Sequence, residues 1–189
     1  MSNQDYDKQI EVLNSILWEY RALRPRIDKW LANFGTDQER EYALYLLSRL
    51  MYFNSSNIRN LLKALYRDLY RYPVIERIRK NNNNTLDKDF IEREFKKELY
   101  NTRFLGVGNP SESGVHLLYY FRQENKIPKR LFVNTDDVIE RHSDGDITLR
   151  DNFSSATRFV FIDDLCGSGY QATTDTNVRR CVDDIRKLK

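Results

Sequence analysis

The residues best suited to chemistry lie in one run: Phe159-Val160-Phe161-Ile162-Asp163-Asp164-Leu165-Cys166-Gly167-Ser168-Gly169-Tyr170-Gln171. Four apolar residues in a row predict a strand buried on both faces. Two acids then fall at its carboxyl end, where open α/β sheets place their ligands. Gly167 and Gly169 permit a tight turn whose backbone N–H groups can converge on one phosphate, and Ser168 adds a hydroxyl donor. A helix opening behind the loop supplies unpaired donors and about half a unit of positive charge. The adjacent carboxylates of Asp163 and Asp164 suit the vicinal hydroxyls of a ribose, or a hydrated magnesium ion. The plain alternative is that the acids cap turns and the glycines only permit a strand–helix connection, because short motifs match by chance. The apolar run, both acids and a second loop upstream together favour a sugar-phosphate site.

That second loop is Gly108-Asn109-Pro110-Ser111-Glu112-Ser113-Gly114, between a short strand (Arg103 to Gly108) and a helix (Val115 to Arg122). A different constellation sits earlier. Arg59, Lys63, Arg67 and Arg71 recur every four residues, and Tyr66, Tyr70 and Tyr72 are interleaved with them. Seven bases stand against two acids from 59 to 80. Such a stripe could grip nucleic-acid phosphates with tyrosines stacking on bases; its bland counterpart is a solvated helix face. Cys166, inside the loop, is either a thiolate favoured by helix-terminal donors or a small space-filling side chain. His116 and His142 have no neighbours at metal-ligand spacing.

Apolar strand, paired acids, short apolar pair and Gly-Ser-Gly together resemble the phosphoribosyl pyrophosphate signature of the type I phosphoribosyltransferases. The resemblance covers roughly residues 100–185. It implies that Asp163 and Asp164 contact the ribose hydroxyls and that Cys166, Gly167, Ser168, Gly169, Tyr170 and Gln171 wrap the 5-phosphate. It further implies that Gly108, Asn109, Ser111, Ser113 and Gly114 form the pyrophosphate loop, with Mg2+ as cofactor held through Asp163 and Asp164. In that family the last loop residue is Thr or Ser; Gln171 replaces it here, with Thr173 close by, which leaves turnover open. The polar stretch Asn134–Thr157 falls where the family carries a lid, with Arg141, Arg150 or Arg158 as phosphate contacts. The wording of the signature, behind a helical region containing Trp30-Leu31-Ala32-Asn33-Phe34, is similar to phosphoribosyltransferase-like effectors of bacterial conflict systems, including those encoded beside retron reverse transcriptases.

Positioning these residues requires a helical front and an α/β back. Ile10, Leu13, Ile16, Leu17 and Tyr20 recur at helical spacing, and Ile27, Trp30, Leu31 and Phe34 form a second short apolar face. Thr36-Asp37-Gln38-Glu39 has the spacing of a capping box. Behind it, the stripe Ala43, Leu46, Leu47, Leu50, Met51 predicts one helix and Ile58, Leu61, Leu62, Leu65, Leu69 another. Asn81 to Asn84 reads as a loop, and Thr85 to Tyr100 as a helix with Phe90, Ile91, Phe95 and Leu99 inward. After Asn101 come the strand at 103–108, a helix, a short strand Leu131-Phe132-Val133, a polar stretch with turn signals at Asp144-Gly145-Asp146, the strand at 159–162 and a last helix near 176–187. Strand and helix alternation makes the fold class α/β. The expected organisation is a helical region, 1–101, before a phosphoribosyltransferase-like parallel sheet flanked by helices, 102–189.

The chain has 189 residues, 40% hydrophobic and 31% charged, enough for a real core. No apolar run nears the ~20 residues of a membrane helix, and the first residues lack the features of a secretory signal. Two cysteines cannot build a disulfide framework. A cytoplasmic protein without membrane contact is expected. The net charge of +3 belongs to residues 1–102, with 18 Lys/Arg against 15 Asp/Glu. Only 18 residues follow Gln171, so the sheet is expected to be completed by another protein chain or a missing C-terminal segment. The functional expectation is a phosphorylated-ribose-binding, phosphoribosyltransferase-like antiphage effector acting in nucleotide metabolism. The alternatives are a non-catalytic regulatory module, or a nucleic-acid-associated subunit using the 59–80 stripe.

Overall fold

The computed structural model describes residues 3–16, 18–19, 24–107, 113–143, 146–163 and 176–188. They fall into two compact units, Met1–Asn60 and Leu61–Lys189. No helix among the described residues is long and apolar enough to cross a membrane.

The first unit holds α1 (Asn3–Ile16), α2 (Arg24–Leu31), α3 (Asp37–Ser48) and the start of α4 (Ser55–Leu65). The capping box forms as the spacing predicts: Thr36 Oγ1 accepts from the Glu39 N–H at 3.2 Å, and Glu39 Oε2 accepts from the Thr36 N–H at 2.9 Å. Tyr6, Ile10, Trp18, Ile27 and Leu44 make a small core. The expected α3 stripe is corrected here. Ala43 and Leu44 are buried, whereas Leu46, Leu50 and Met51 are exposed, and the helix ends at Ser48 before the last two. Apolar residues on more than one face let the pattern pick the wrong side. Ile16 and Trp30 are also exposed; Leu17 and Tyr20 lie outside the described residues.

In the second unit, α4 passes into a π-helical turn (Tyr66–Arg71) and then α5 (Tyr72–Asn81). Pro73 opens α5. Its missing N–H and its ring would disrupt an α-helical turn, and a wider i→i+5 turn just before it accommodates the break. That turn also settles which residues are inside. Leu62, Tyr66, Tyr70, Val74 and Ile78 are all buried, spaced four apart. In an unbroken α-helix that spacing drifts by about 40° per step; the wider turn offsets the drift. The leucine face is therefore corrected: Leu62 is inside, but Ile58, Leu61, Leu65 and Leu69 are exposed.

α6 (Lys88–Tyr100) starts at Asp87, whose carboxylate accepts from the N–H groups of Asp89 and Phe90. It buries Phe95 and leads into β1 (Thr102–Gly106). α7 (Ser113–Asn125), a 3-10 turn at Lys129–Leu131 and α8 (Thr135–Val138) follow. Phe132 makes a single parallel bridge to Phe104 rather than the expected strand. The polar stretch Asn134–Thr157 contains an antiparallel hairpin, β2 (Ile139–Arg141) with β3 (Ile147–Leu149), on either side of the turn signals at Asp144-Gly145-Asp146. Strands of three residues are too short to show an alternating pattern. β4 (Arg158–Ile162) runs parallel to β1 with Phe104 opposite Val160, and α9 (Thr176–Leu188) ends the described chain.

The sheet lies between two layers. Phe104, Val160 and Ile162 pack with Tyr70, Phe95 and Phe121 on one face. Leu105, Phe159 and Phe161 pack with α9, Val138 and the hairpin on the other. Both faces of β4 are covered, as its apolar run predicts, yet most of it is only half-buried because no strand lies on its outer edge among the described residues.

Candidate functional site

The carboxyl ends of β1 and β4 are held side by side. Val107 N–H donates to the Ile162 carbonyl at 3.0 Å, one residue beyond Gly106 in one strand and one before Asp163 in the other. Both loops singled out in the sequence therefore leave the same end of two adjacent parallel strands, where α/β sheets bind ligands. Asp163 is half-buried. Asp164, Cys166, Gly167, Ser168, Gly169, Tyr170 and Gln171 lie outside the described residues, as do Gly108, Asn109 and Ser111. Ser113 and Gly114 open α7, and Thr176 opens α9.

The amino-terminal ends of the same strands are locked by a buried polar chain. Tyr70 Oη is 2.8 Å from Thr102 Oγ1, and Thr102 Oγ1 donates to the Glu98 carbonyl at 2.8 Å. Arg158 places its guanidinium 5.8 Å from the centre of the Tyr70 ring and reaches Glu98 at 3.5 Å. Burial raises the Tyr70 hydroxyl above its ordinary value and pushes that of Tyr66 up to about 12. Both phenols stay neutral. Nothing in sequence spacing links Thr102 to Tyr70, 32 residues earlier.

A cavity of about 450 Å³ runs along β4, with Asp163 at the carboxyl end and Arg158 at the other. Leu65, Leu69, Phe121 and Val160 are among its apolar walls. The Arg158 N–H faces β1, donating to the Asn101 carbonyl, and the Ile162 carbonyl also faces β1. By strand alternation the backbone N–H of Phe161 points away from β1 along the open edge.

The basic stripe is placed differently from the expectation. Lys63 pairs with Glu124 at 3.0 Å, Arg67 with Asp68 at 2.6 Å and Arg71 with Glu92 at 2.9 Å. Arg71 also lies 4.6 Å over the Phe95 ring, while Arg77 and Arg79 pair with Glu98 and Glu76. Acids from neighbouring helices supply charge that a count over 59–80 does not include. Tyr66 and Tyr70, expected to be available for stacking, are buried in the core; of the three only Tyr72 is exposed. The arginines of the expected lid separate too. Arg158 packs against Tyr70, whereas Arg141 and Arg150 line a different cavity together with Arg180. Among the described residues no three His, Cys, Asp or Glu side chains form a metal-binding group.

Two layers on a short parallel sheet make an α/β arrangement consistent with an incomplete phosphoribosyltransferase-like sheet. Matching the PRTase-CE family model over residues 27–189, the chain belongs to that family of phosphoribosyltransferase-like conflict effectors. No curated protein and no solved structure matches it.

Proposed function

We propose that the chain binds phosphoribosyl pyrophosphate, or a closely related ribose 5-phosphate compound, together with Mg2+ and acts on nucleotide metabolism during phage defence. One observation carries this reading: the Val107–Ile162 hydrogen bond sets the starts of both signature loops beside each other at the carboxyl end of the sheet. Asp163 and Asp164 would hold the ribose hydroxyls. Carboxylate oxygens are also the donor type Mg2+ takes, so the acid pair fits the ion. Gly167 to Gln171 would surround the 5-phosphate, and Gly108 to Gly114 the pyrophosphate. Transfer at such a site breaks the bond from the anomeric carbon to pyrophosphate, which leaves with the electron pair as an acceptor bonds to that carbon. Positioning and charge neutralisation supply the acceleration. A further apolar strand beside β4 would complete the sheet, supported by the apolar groove along its outer edge.

31P NMR tests the reading. The phosphate resonances of phosphoribosyl pyrophosphate with Mg2+ should broaden on adding stoichiometric protein, and unchanged sharp lines would overturn it. Free pyrophosphate appearing with a nucleobase or another acceptor identifies a transferase. Broadening without release across all acceptors identifies a sugar-phosphate-binding regulatory module.

A further inference from the structure

The layer covering the other face of the sheet holds a second, half-open cavity of about 320 Å³ lined by three arginines. Arg141 ends β2, Arg150 follows β3, and Arg180 comes from α9. We propose that this cavity is an anion subsite, in which Arg141, Arg150 and Arg180 take the phosphate group of a small phosphate ester independently of Asp163.

Charge is the first argument. Among the described residues three arginines line the cavity against one lining acid, Asp136. Arg141 is tied to the buried carboxylate of Asp184, whose second oxygen lies 3.9 Å from Lys187. That pair anchors one guanidinium at the wall and leaves its remaining N–H groups for another acceptor. Arg150 and Arg180 make no ion pair or side-chain hydrogen bond among the described residues. Like charges around one cavity repel one another until an anion enters, and a guanidinium fork matches the oxygens of a phosphate.

The lining is the second argument. Ile139 and Cys181, both buried, line the same cavity as the arginines. Burial, reinforced by Asp184 and Asp136, pushes the Cys181 thiol up to about 11, so it brings no negative charge to compete with a ligand. The volume falls at the small end of ligand pockets, about 300–1,000 Å³. Among the described residues no aromatic side chain lines it, so they offer no stacking platform of the kind single-stranded nucleic acid uses. Both features favour a small ester over a polymer.

Inorganic pyrophosphate serves as the probe, titrated into 15N-labelled protein while the arginine Nε–Hε signals are followed. The signals of Arg150 and Arg180 should shift and saturate. Affinity read at those signals should fall at least tenfold in Arg150→Gln and in Arg180→Gln, both exposed side chains, and persist in Asp163→Asn. Arg141 is left in place because it holds a buried carboxylate. Absence of saturable shifts at Arg150 and Arg180 overturns the proposal. So does their loss in Asp163→Asn, which would make the ions part of the sugar-phosphate site. Shifts given by a thymidine oligonucleotide but not by pyrophosphate would overturn it in favour of nucleic acid.

Discussion

Thr102→Val tests how the start of the sheet is held. Thr102 is fully buried, and its single hydroxyl proton goes to the Glu98 carbonyl at 2.8 Å. The Tyr70 hydroxyl, 2.8 Å away, must then donate to Thr102 Oγ1. Valine keeps the shape, so little cavity opens, but two polar groups lose their partner at once. Each such group costs about 1–3 kcal/mol when left unsatisfied, which puts the loss at roughly 2–6 kcal/mol. Tyr70→Phe removes one donor and leaves the Thr102–Glu98 bond intact, so it should cost about 1 kcal/mol. The double variant should be less destabilised than the sum, because the phenylalanine no longer has a hydroxyl to strand. Urea denaturation of the four proteins, read by far-UV circular dichroism with unchanged m-values, measures this. A Tyr70→Phe cost equal to or above that of Thr102→Val would refute the assigned donor direction and the buried chain built on it.

Other tests address the edge, the cap and the thiol. By hydrogen exchange, the Phe161 amide should exchange much faster than those of Val160 and Ile162, which face β1; equal protection would mean that the outer edge of β4 is covered. Hydrogen bonds from the Thr36 backbone and side chain hold the Glu39 carboxyl below its ordinary value of 4.5. Its contribution is therefore complete above that value and lost as pH falls through the lower folded value. The thermal midpoint of the wild type should exceed that of Glu39→Gln at neutral pH, with the gap closing on acidification; a gap that widens in acid contradicts the cap. In Cys166→Ser protein the remaining thiol, Cys181, should react slowly with disulfide reagents at pH 8 and quickly only after unfolding. Fast reaction of the folded protein would contradict its burial.

The α/β alternation from Asn101 onward was legible where an element announces itself locally, as β4 does; the three-residue strands β2 and β3 do not. Phe159 to Ile162 is a continuous apolar run, and Thr36 with Glu39 is a start signal read within four residues; the helix read from Thr85 begins at Lys88, behind its cap Asp87. What escaped depends on helix phase and on distant partners. The leucines of α4 follow the expected spacing, but Pro73 and the π turn before it rotate Tyr66 and Tyr70 inward instead. The ion pairs that occupy Lys63 and Arg71 come from Glu124 and Glu92, beyond the reach of a local charge count. The cluster of Arg141, Arg150 and Arg180 draws on three elements, none of which carries a motif. Of the signature site, the sequence supplies the residue types and the structure supplies the adjacency of Val107 and Ile162 at the strand ends.

The most direct test of that site is a calorimetric titration with phosphoribosyl pyrophosphate and Mg2+, comparing wild type with the Asp163→Asn/Asp164→Asn double variant. Saturable, magnesium-dependent binding by the wild type, lost in an equally folded variant, is the predicted result. Equal binding by both proteins, or none by the folded wild type, would contradict the assignment of the acids at the end of β4.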